Sequence, residues 1–375
     1  MDNGKGVSIL EHFQELEDPR VVARCDHKLI DIIAIAICGV ICSADTWEDI
    51  EAYGKAKEDW LRTFLELPEG IPSHDTFNRV FRFIDPAKFQ ECFLSWIQSV
   101  SNAMNGSVIA IDGKTVRHSY DSANEKPAIH MISAWAHKNH MVLGQLKVDD
   151  KSNEITAIPE LLEILDVNGC IVTIDAMGCQ KEIAGKIVDG GGDYVLAVKG
   201  NQGTLYDDIK LYFDNMEKCK SEYDFHRKVE KGHGRIETRE HWITSDVEWL
   251  DPKGKWKNLS SIGMVRSERL VNKEKSAEIR YYITSREFSA EKFGEVVRSH
   301  WGIENSLHWV LDMAFREDES RVRKDNAPEN LALLRRIALN LLKQEKTKKR
   351  GIAGKRRLAG WDNAYLNKIL GILMR

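Results

Sequence analysis

The sequence lacks the features of a secreted or membrane-spanning protein. Its seven cysteines are an odd number and include no CxxC pair, which argues against a disulfide framework and a cysteine-rich zinc module. The first residues, MDNGKG, show no basic-then-apolar signal pattern. The longest apolar stretch, Leu29 to Ala44, is too short to span a membrane and contains Asp31. We therefore expect a cytoplasmic protein without a membrane partner, in which this stretch is a buried helix.

An overall excess of positive charge is also missing, because the formal net charge is −4. Positive charge is concentrated at the C-terminal end, where residues 343–375 contain ten Lys/Arg and two Asp/Glu, a local charge of +8. This basic segment has two interpretations, which are contact with nucleic-acid phosphates and a solvated tail. The 375 residues, 42% hydrophobic and 30% charged, predict a globular protein of two or three domains.

Residues 8 to about 100 show apolar positions at helical spacing and no strand alternation. Within them, Ser73 follows a proline as a helix cap and precedes an apolar face that contains Phe77 and Phe81. The opposite face presents Arg79 and Arg82. The pattern is typical of a helix-turn-helix recognition helix, and an ordinary amphipathic helix has the same pattern.

From Ser107 the chain changes to short apolar runs separated by turns. The runs and periodic segments follow the order of three strands, a helix, a strand, a helix and a strand, which is the order of the ribonuclease-H-like core. Other α/β folds share parts of this order. Further strands are predicted at residues 234–244, 259–270 and 278–285, with a polar turn at 271–277, and helices at residues 290–313 and 328–342.

Two aspartates follow or end buried apolar runs, Asp112 after residues 108–111 and Asp175 after residues 170–174. A carboxylate in such a place is costly unless a cation or a hydrogen-bond donor meets it. With one more carboxylate from a nearby helix, the group would suit Mg²⁺ or Mn²⁺, which prefer oxygen ligands. Two such metal ions promote in-line phosphoryl displacement. A simple turn aspartate at Asp112 is the alternative interpretation.

The third carboxylate is predicted on the helix that contains Glu304. Arg298, Trp301, Glu304 and His308 recur at steps of three and four residues and therefore share one helical face. Such a polar face is unusual for a purely structural helix, and it suits a metal carboxylate surrounded by groups that hold phosphates.

These motifs resemble the DDE transposases of insertion sequences, specifically the group of H-repeat-associated proteins found with Rhs elements. The resemblance covers about residues 8 to 345 and rests on long, ordered motifs: Ala110 to Thr115, Thr173 to Gln180, Val198 to Gln202, His233 to Arg239, and His300 to Trp309. The helix signature of that family is Tyr, two residues, Arg, three residues, Glu, six residues, Lys. Here Val297, His300, Glu304 and Leu311 occupy these places, so only the glutamate is retained.

The resemblance implies an α/β fold with a ribonuclease-H-like mixed sheet, a β-rich insertion and an all-helical N-terminal domain. It implies that Asp112, Asp175 and Glu304 are the catalytic residues and bind two Mg²⁺ or Mn²⁺ ions. The expected DNA partners are terminal inverted repeats and target DNA, bound by a homodimer that is nucleoid-associated when bound. Candidate DNA contacts are Arg79, Arg82, Lys114, Lys199, Asn201, Arg298, His300, Arg321 and Arg323.

The predicted organisation has five parts: a helical DNA-binding domain (1–103), the first part of the catalytic domain (104–216), a β-rich insertion (217–288), its helical completion (289–342) and a basic C-terminal tail (343–375). The function implied is DNA cleavage and strand transfer in transposition. Two alternatives stay open. One is a catalytically silent, DNA-binding remnant of an insertion element, and the other is a nuclease of the same fold without strand transfer.

Overall fold

The structure is a computed structural model of the 375-residue chain. It describes residues 9–21, 23, 25–100, 106–121, 126–149, 152–219, 222–232, 234–250, 254–272 and 274–371, with the side chains of 217–219 left aside. His233, which belongs to one of the sequence motifs, lies outside the described residues, and so do the chain ends at residues 1–8 and 372–375. In the part described, no helix combines the length and apolar character that crossing a membrane requires.

The N-terminal region is helical, as predicted. A 3₁₀ turn at Ile9–Phe13 is followed by α1 Leu29–Ile41, α2 Trp47–Ala56, α3 Glu58–Leu61, α4 His74–Phe83 and α5 Pro86–Val100. Almost every residue of α1 is buried, so this apolar stretch is the predicted core helix. In α4, the Ser73 side chain accepts a hydrogen bond from the Thr76 N–H, and Phe77 and Phe81 are buried. The predicted cap and apolar face are both confirmed.

The central feature is one mixed sheet of nine strands, which are β1 Val108–Thr115, β2 His130–Ala136, β3 Met141–Val148, β4 Ile171–Ile174, β5 Asp193–Val198, β6 Asp224–Gly232, β7 Arg235–Thr244, β8 Ser261–Val271 and β9 Glu274–Thr284. Their spatial order is β3-β2-β1-β4-β5-β9-β8-β7-β6. Strands β1, β4 and β5 are parallel neighbours, and the other pairings are antiparallel. The α/β class with a mixed sheet is therefore confirmed.

The strands β6 to β9 differ from the sequence prediction in their extent. The predicted hairpin turn between β8 and β9 is confirmed, but it is shorter than the predicted 271–277, because β8 continues to Val271 and β9 begins at Glu274. The distal half of this hairpin is exposed on both faces, so its residues show no apolar alternation. Strand β6 is also mostly exposed and shows no apolar alternation, so the sequence did not predict it.

Helices cover the sheet and close the chain. They are α6 Glu154–Glu163, α7 Lys181–Asp189, α8 Gly203–Cys219, α9 Ala290–Ile303, α10 Trp309–Phe315, α11 Ala327–Gln344, α12 Ile352–Trp361 and α13 Asn363–Leu370. Helix α9 packs against β1, β4, β6 and β7. It therefore links the strand that carries Asp112 to the distal strands of the sheet.

The basic C-terminal segment folds onto the helical core in its described part and does not form a solvated tail. The Lys355 ammonium is buried and donates a hydrogen bond to the Leu342 carbonyl at 2.9 Å. The Arg356 guanidinium donates to the Val40 carbonyl at 2.8 Å and pairs with Asp45 at 2.7 Å. Lys355 fastens α12 to the end of α11, and Arg356 fastens it to the end of α1, because burying these cations requires partners for their charges.

Candidate active site

Two strands bring the predicted aspartates together. Strands β1 and β4 are parallel, and Ile111 pairs in register with Ile174, so that Asp112 and Asp175 follow side by side. Neighbouring strands lie about 4.8 Å apart, which brings the two carboxylates to one edge of the parallel strands. One Asp175 oxygen accepts a hydrogen bond from the Met177 N–H at 3.0 Å, which fixes the start of the following loop.

The third acid lies where α9 changes its winding. Residues Glu304–His308 form one π-helical turn, in which the Trp309 N–H bonds to the Glu304 carbonyl. Single π turns inside helices occur frequently at functional sites because they rotate side chains out of the regular α-helical pattern. Here the turn is followed directly by α10, so Glu304 and His308 lie on a rigid, continuous helical segment.

Asp112, Glu304 and His308 form a compact cluster, which we call the open cluster. Their ligand atoms all lie within 4.8 Å of one another. The buried His308 places Nδ1 at 3.2 Å from a Glu304 oxygen and at 3.6 Å from an Asp112 oxygen. Both facing atoms are carboxylate oxygens, so this geometry fits the tautomer in which Nδ1 donates a hydrogen bond. In the described part of the chain, no lysine or arginine forms an ion pair with Asp112, Asp175 or Glu304.

The electrostatics of the cluster differ between its two acids. Burial raises the pKa of Asp112 to about 6, and the nearby Asp175 and Glu154 contribute to the increase, while His308 opposes it. The hydrogen bond from His308 lowers the pKa of Glu304 below its ordinary value. A buried carboxylate whose neighbours are other carboxylates favours a cation beside it. The carboxylate oxygens of Asp112 and Glu304 therefore fit a divalent metal ion, with the imidazole beside them as a hydrogen-bond donor.

A cavity of about 560 Å³ opens at this edge of the sheet and is lined by all three predicted acids. Lys199, His300, Arg280 and Trp301 line it as well. The Arg280 guanidinium lies 4.4 Å from the centre of the Trp301 ring, an arrangement typical of a cation–π contact. The cavity thus combines acids on one wall with cationic and aromatic groups on another.

His300 lies in this cavity, although its environment favours the neutral imidazole. Burial is the largest cause of its lowered pKa, which the charge of Asp175 partly opposes. Its Nδ1 lies 3.1 Å from the Thr173 hydroxyl. His300 can therefore act towards a phosphate as a neutral hydrogen-bond donor.

Lys114, a predicted DNA contact, is turned towards carboxylates of the chain itself. Its ammonium lies 2.7 Å from Asp312, 2.7 Å from Asp318 and 3.9 Å from the buried Glu317. Glu317 in turn pairs with the fully buried Arg336 at 2.8 Å. We call this group of five residues the closed cluster. Its acids are matched by cations of the same chain.

Asn201, a second predicted DNA contact, holds the loop that follows Asp175. Its side-chain amide donates to the Ala176 carbonyl at 2.6 Å. The neighbouring Gln202 donates to the Cys179 carbonyl at 3.0 Å. These two amides fasten the 176–179 loop from the end of β5 and thereby support the position of Asp175.

The remaining predicted DNA contacts are spread over several surfaces. Arg79 is exposed on α4, whereas Arg82 pairs with Asp325 at 2.7 Å. Arg323 donates to the His118 carbonyl at 3.1 Å, and the exposed Arg321 lines a separate cavity beside α2. Arg298 is exposed on α9 beyond the open cluster. The structure therefore brings Lys199 and His300 to the acids and places the other candidates elsewhere.

The sequence did not predict the roles that the structure gives to two residues of the site. His308 was grouped with phosphate-holding residues on the helical face, and its position between two acids depends on the π turn, for which sequence spacing gives no signal. Arg280 was not identified at all. The alternation of Ile279, Tyr281 and Ile283 could have indicated it, because residue 280 must point to the opposite face of β9.

Comparison with known proteins assigns the class. Residues 104–341 match the family described as "Transposase DDE domain", and residues 10–97 match the region described as associated with it. The chain belongs to this family of DDE transposases, as the sequence motifs predicted.

Individual relatives refine that class. The chain is 45% identical over 368 residues to the "H repeat-associated putative transposase YhhI" of Escherichia coli (strain K12), covering 96% of this chain and 97% of the relative. It is 42% identical over 72 residues to the "Inactive transposase YbfQ" of the same strain, which covers 19% of this chain and 86% of that relative. Among solved structures, the piggyBac transposase synaptic complex with hairpin DNA aligns at 10% identity with a TM-score of 0.45, over 96% of this chain and 76% of that one.

Proposed function

We propose that this protein is an active transposase that uses divalent metal ions, Mg²⁺ or Mn²⁺, held by Asp112, Asp175 and Glu304 to cut DNA at element ends and to join the new ends to target DNA. The observation that carries the proposal is the open cluster, because its acids share a cavity with Asp175 and no lysine or arginine among the described residues is paired to them. The order β3-β2-β1-β4-β5 supports a ribonuclease-H-like core.

Divalent metal ions held by these acids would supply Lewis-acid chemistry for the displacement at the phosphodiester. Asp112 and Asp175 hold the metal site from the rigid sheet, and Glu304 completes it from the helix. His308 is a positioning residue, because its Nδ1–H holds the Glu304 carboxylate towards Asp112. Lys199, His300 and Arg280 lie around the same cavity and can donate hydrogen bonds to phosphate oxygens.

We further propose that residues 1–103 bind the terminal inverted repeats and that a homodimer brings two ends together. The exposed Arg79 on α4 supports the DNA contact. A catalytically silent DNA-binding remnant is the competing function. The retained acids count against this alternative. Substituting them separates an active transposase from a silent remnant.

The test is nicking of end-labelled DNA that carries the flanking inverted repeats, in Mg²⁺, in Mn²⁺ and in EDTA. We expect Asp112→Asn, Asp175→Asn and Glu304→Gln each to lower the nicking rate about 10³-fold or more, which corresponds to roughly 4 kcal/mol of lost transition-state stabilisation. Glu182→Gln, an exposed acid on α7, is the matched control and should retain full activity.

Three outcomes would change the assignment. Tight DNA binding without nicking in either metal would favour the silent remnant. Nicking without any joined product would favour a nuclease that lacks strand transfer. Equal activity of the control and of an acid variant would remove that acid from the catalytic set.

A further inference from the structure

A second groove lies beyond the open cluster, at the other end of α9. It encloses about 690 Å³ between α9, the strands β6 and β7, and the turn that joins β2 to β3. We call it the distal groove. Gly294 of α9 lines it, and a Cβ atom there would lie 2.8 Å from the His241 ring. The helix therefore packs close to β7 at this point, and the groove is built into the fold.

The lining of the distal groove is strongly cationic. Three glutamates line it, Glu230, Glu291 and Glu295, together with six cations: Lys138, Arg227, Lys228, Arg239, Lys292 and Arg298. This local excess occurs in a chain whose net charge is −4. Lys138 and Arg298 are exposed, and neither forms an ion pair with any residue in the described ranges. Unmatched cations along a groove favour an anionic ligand.

Two further observations support an anionic ligand. The hydroxyl of Ser107, a residue only 2% exposed, lines the groove and has no hydrogen-bond partner among the described residues. Burial is the largest cause that lowers the pKa of His241, and the nearby His226, Arg239 and Lys228 lower it further. The groove thus combines an unused donor with a positive local field.

The distal groove is connected to the active-site cavity along α9. A third cavity, of about 420 Å³, shares Arg239 and Arg298 with the distal groove. It shares Arg280, Trp301 and Glu304 with the active-site cavity. From Glu295 in the distal groove to Glu304, nine residues of helix at 1.5 Å each span about 14 Å. That length corresponds to roughly four base pairs at 3.4 Å each.

We propose that the distal groove binds the sugar–phosphate backbone of the DNA whose cleavage site lies in the open cluster, roughly four base pairs away. This inference rests on the proposed function, because it takes DNA as the substrate of the site. The continuous lining of the three cavities supports one strand that runs along α9. An extended anion fits the charge better than a small anion does, because the two unmatched cations, Lys138 and Arg298, lie on different elements that line the groove.

The test measures DNA binding by the full chain without metal, so that no cleavage occurs. Fluorescence anisotropy with a labelled 30-base-pair duplex in EDTA is recorded over a series of salt concentrations. The groove variant is Lys138→Gln with Arg298→Gln, which removes the two unmatched cations of the groove. The matched control is Lys210→Gln with Lys257→Gln, two lysines outside the groove that change the net charge equally. Glu304→Gln is included as the catalytic variant.

We expect the groove variant to weaken binding roughly tenfold and to reduce the slope of log Kd against log salt by about 2, since each lost phosphate contact removes about 1. The control should bind within about twofold of the unmodified protein. Identical binding by the groove variant and the control would overturn the proposal. A changed monomer–dimer equilibrium in light scattering, with DNA binding unchanged, would also overturn it in favour of a second copy of the chain.

Failure of this inference can be separated from failure of the proposed function. Groove-dependent binding together with nicking that persists in Glu304→Gln would support the distal groove and contradict the catalytic assignment. Loss of nicking in Glu304→Gln, with groove variants that bind normally, would contradict the distal groove alone.

Discussion

Asp112 and Lys114 lie two residues apart on β1 and therefore point to the same face of the strand, yet they belong to clusters of opposite character. In the closed cluster, Lys114 pairs with Asp312 and Asp318, and Arg336 pairs with Glu317, so each acid has a cation of the chain beside it. In the open cluster, the only side-chain partner of Asp112 and Glu304 among the described residues is the imidazole of His308. A concentration of acids does not by itself indicate a metal site. The relevant difference is whether the chain supplies the balancing cation.

The largest effect on stability is expected in the closed cluster. Glu317→Gln removes the charge that the buried Arg336 and the neighbouring Lys114 require, so it should lower the free energy of unfolding by about 3–5 kcal/mol. Urea unfolding followed by circular dichroism measures the change. Glu319→Gln, at an exposed acid two residues away that pairs with Arg316, should shift stability by less than about 0.5 kcal/mol.

This result would also sharpen the contrast between the clusters. If the closed cluster is balanced by its own cations, Mg²⁺ should not restore the stability of Glu317→Gln. Equal stability of the two glutamate variants would show that Glu317 is not needed to balance the buried charges.

Substitution of His308 tests how the open cluster binds metal while all three acids are retained. His308→Gln should raise the metal concentration for half-maximal nicking about 10- to 100-fold, because groups that orient metal ligands typically contribute that much to metal affinity. The maximal rate at saturating metal should stay within a few-fold of normal, since Asp112, Asp175 and Glu304 remain. Metal titrations of the nicking rate measure both quantities.

The control is His12→Gln, on the N-terminal 3₁₀ turn, which should leave the metal dependence unchanged. A lower maximal rate with an unchanged metal requirement would contradict the positioning role of His308. It would indicate instead that the imidazole acts in the chemical step.

Much of this contrast could not be predicted from the sequence. The strands that carry Asp112 and Asp175 were predictable because short buried runs ending in an aspartate are local patterns, and Glu304 was predicted from the polar face of its helix and from the family motif. The partners of Lys114 were not predictable, because Asp318 lies 204 residues further along the chain. The contact depends on the packing of the whole domain.

The same holds for the fold: elements whose local sequence pattern records their burial were predicted, and elements without such a pattern were not. Helices with a buried face, such as α1 and α4, agree with the prediction because their periodicity records their burial. Strand β6 and the outer half of β9 are exposed and therefore show no pattern. The C-terminal helices α12 and α13 were predicted as a tail because their many charges resemble a solvated segment, whereas Arg356 is buried against Val40.

The two aspartates of the site are held differently, because Asp112 lies within strand β1 whereas Asp175 follows the end of β4. The smallest expected effect concerns the loop that holds Asp175. Asn201→Ala removes the hydrogen bond to the Ala176 carbonyl, worth about 1 kcal/mol, and should lower the nicking rate about fivefold. Asn215→Ala removes a similar side-chain bond, to the Leu211 carbonyl on α8, and should not affect nicking. If both variants nick at the normal rate, the hydrogen bond from Asn201 is not needed to position Asp175 for catalysis.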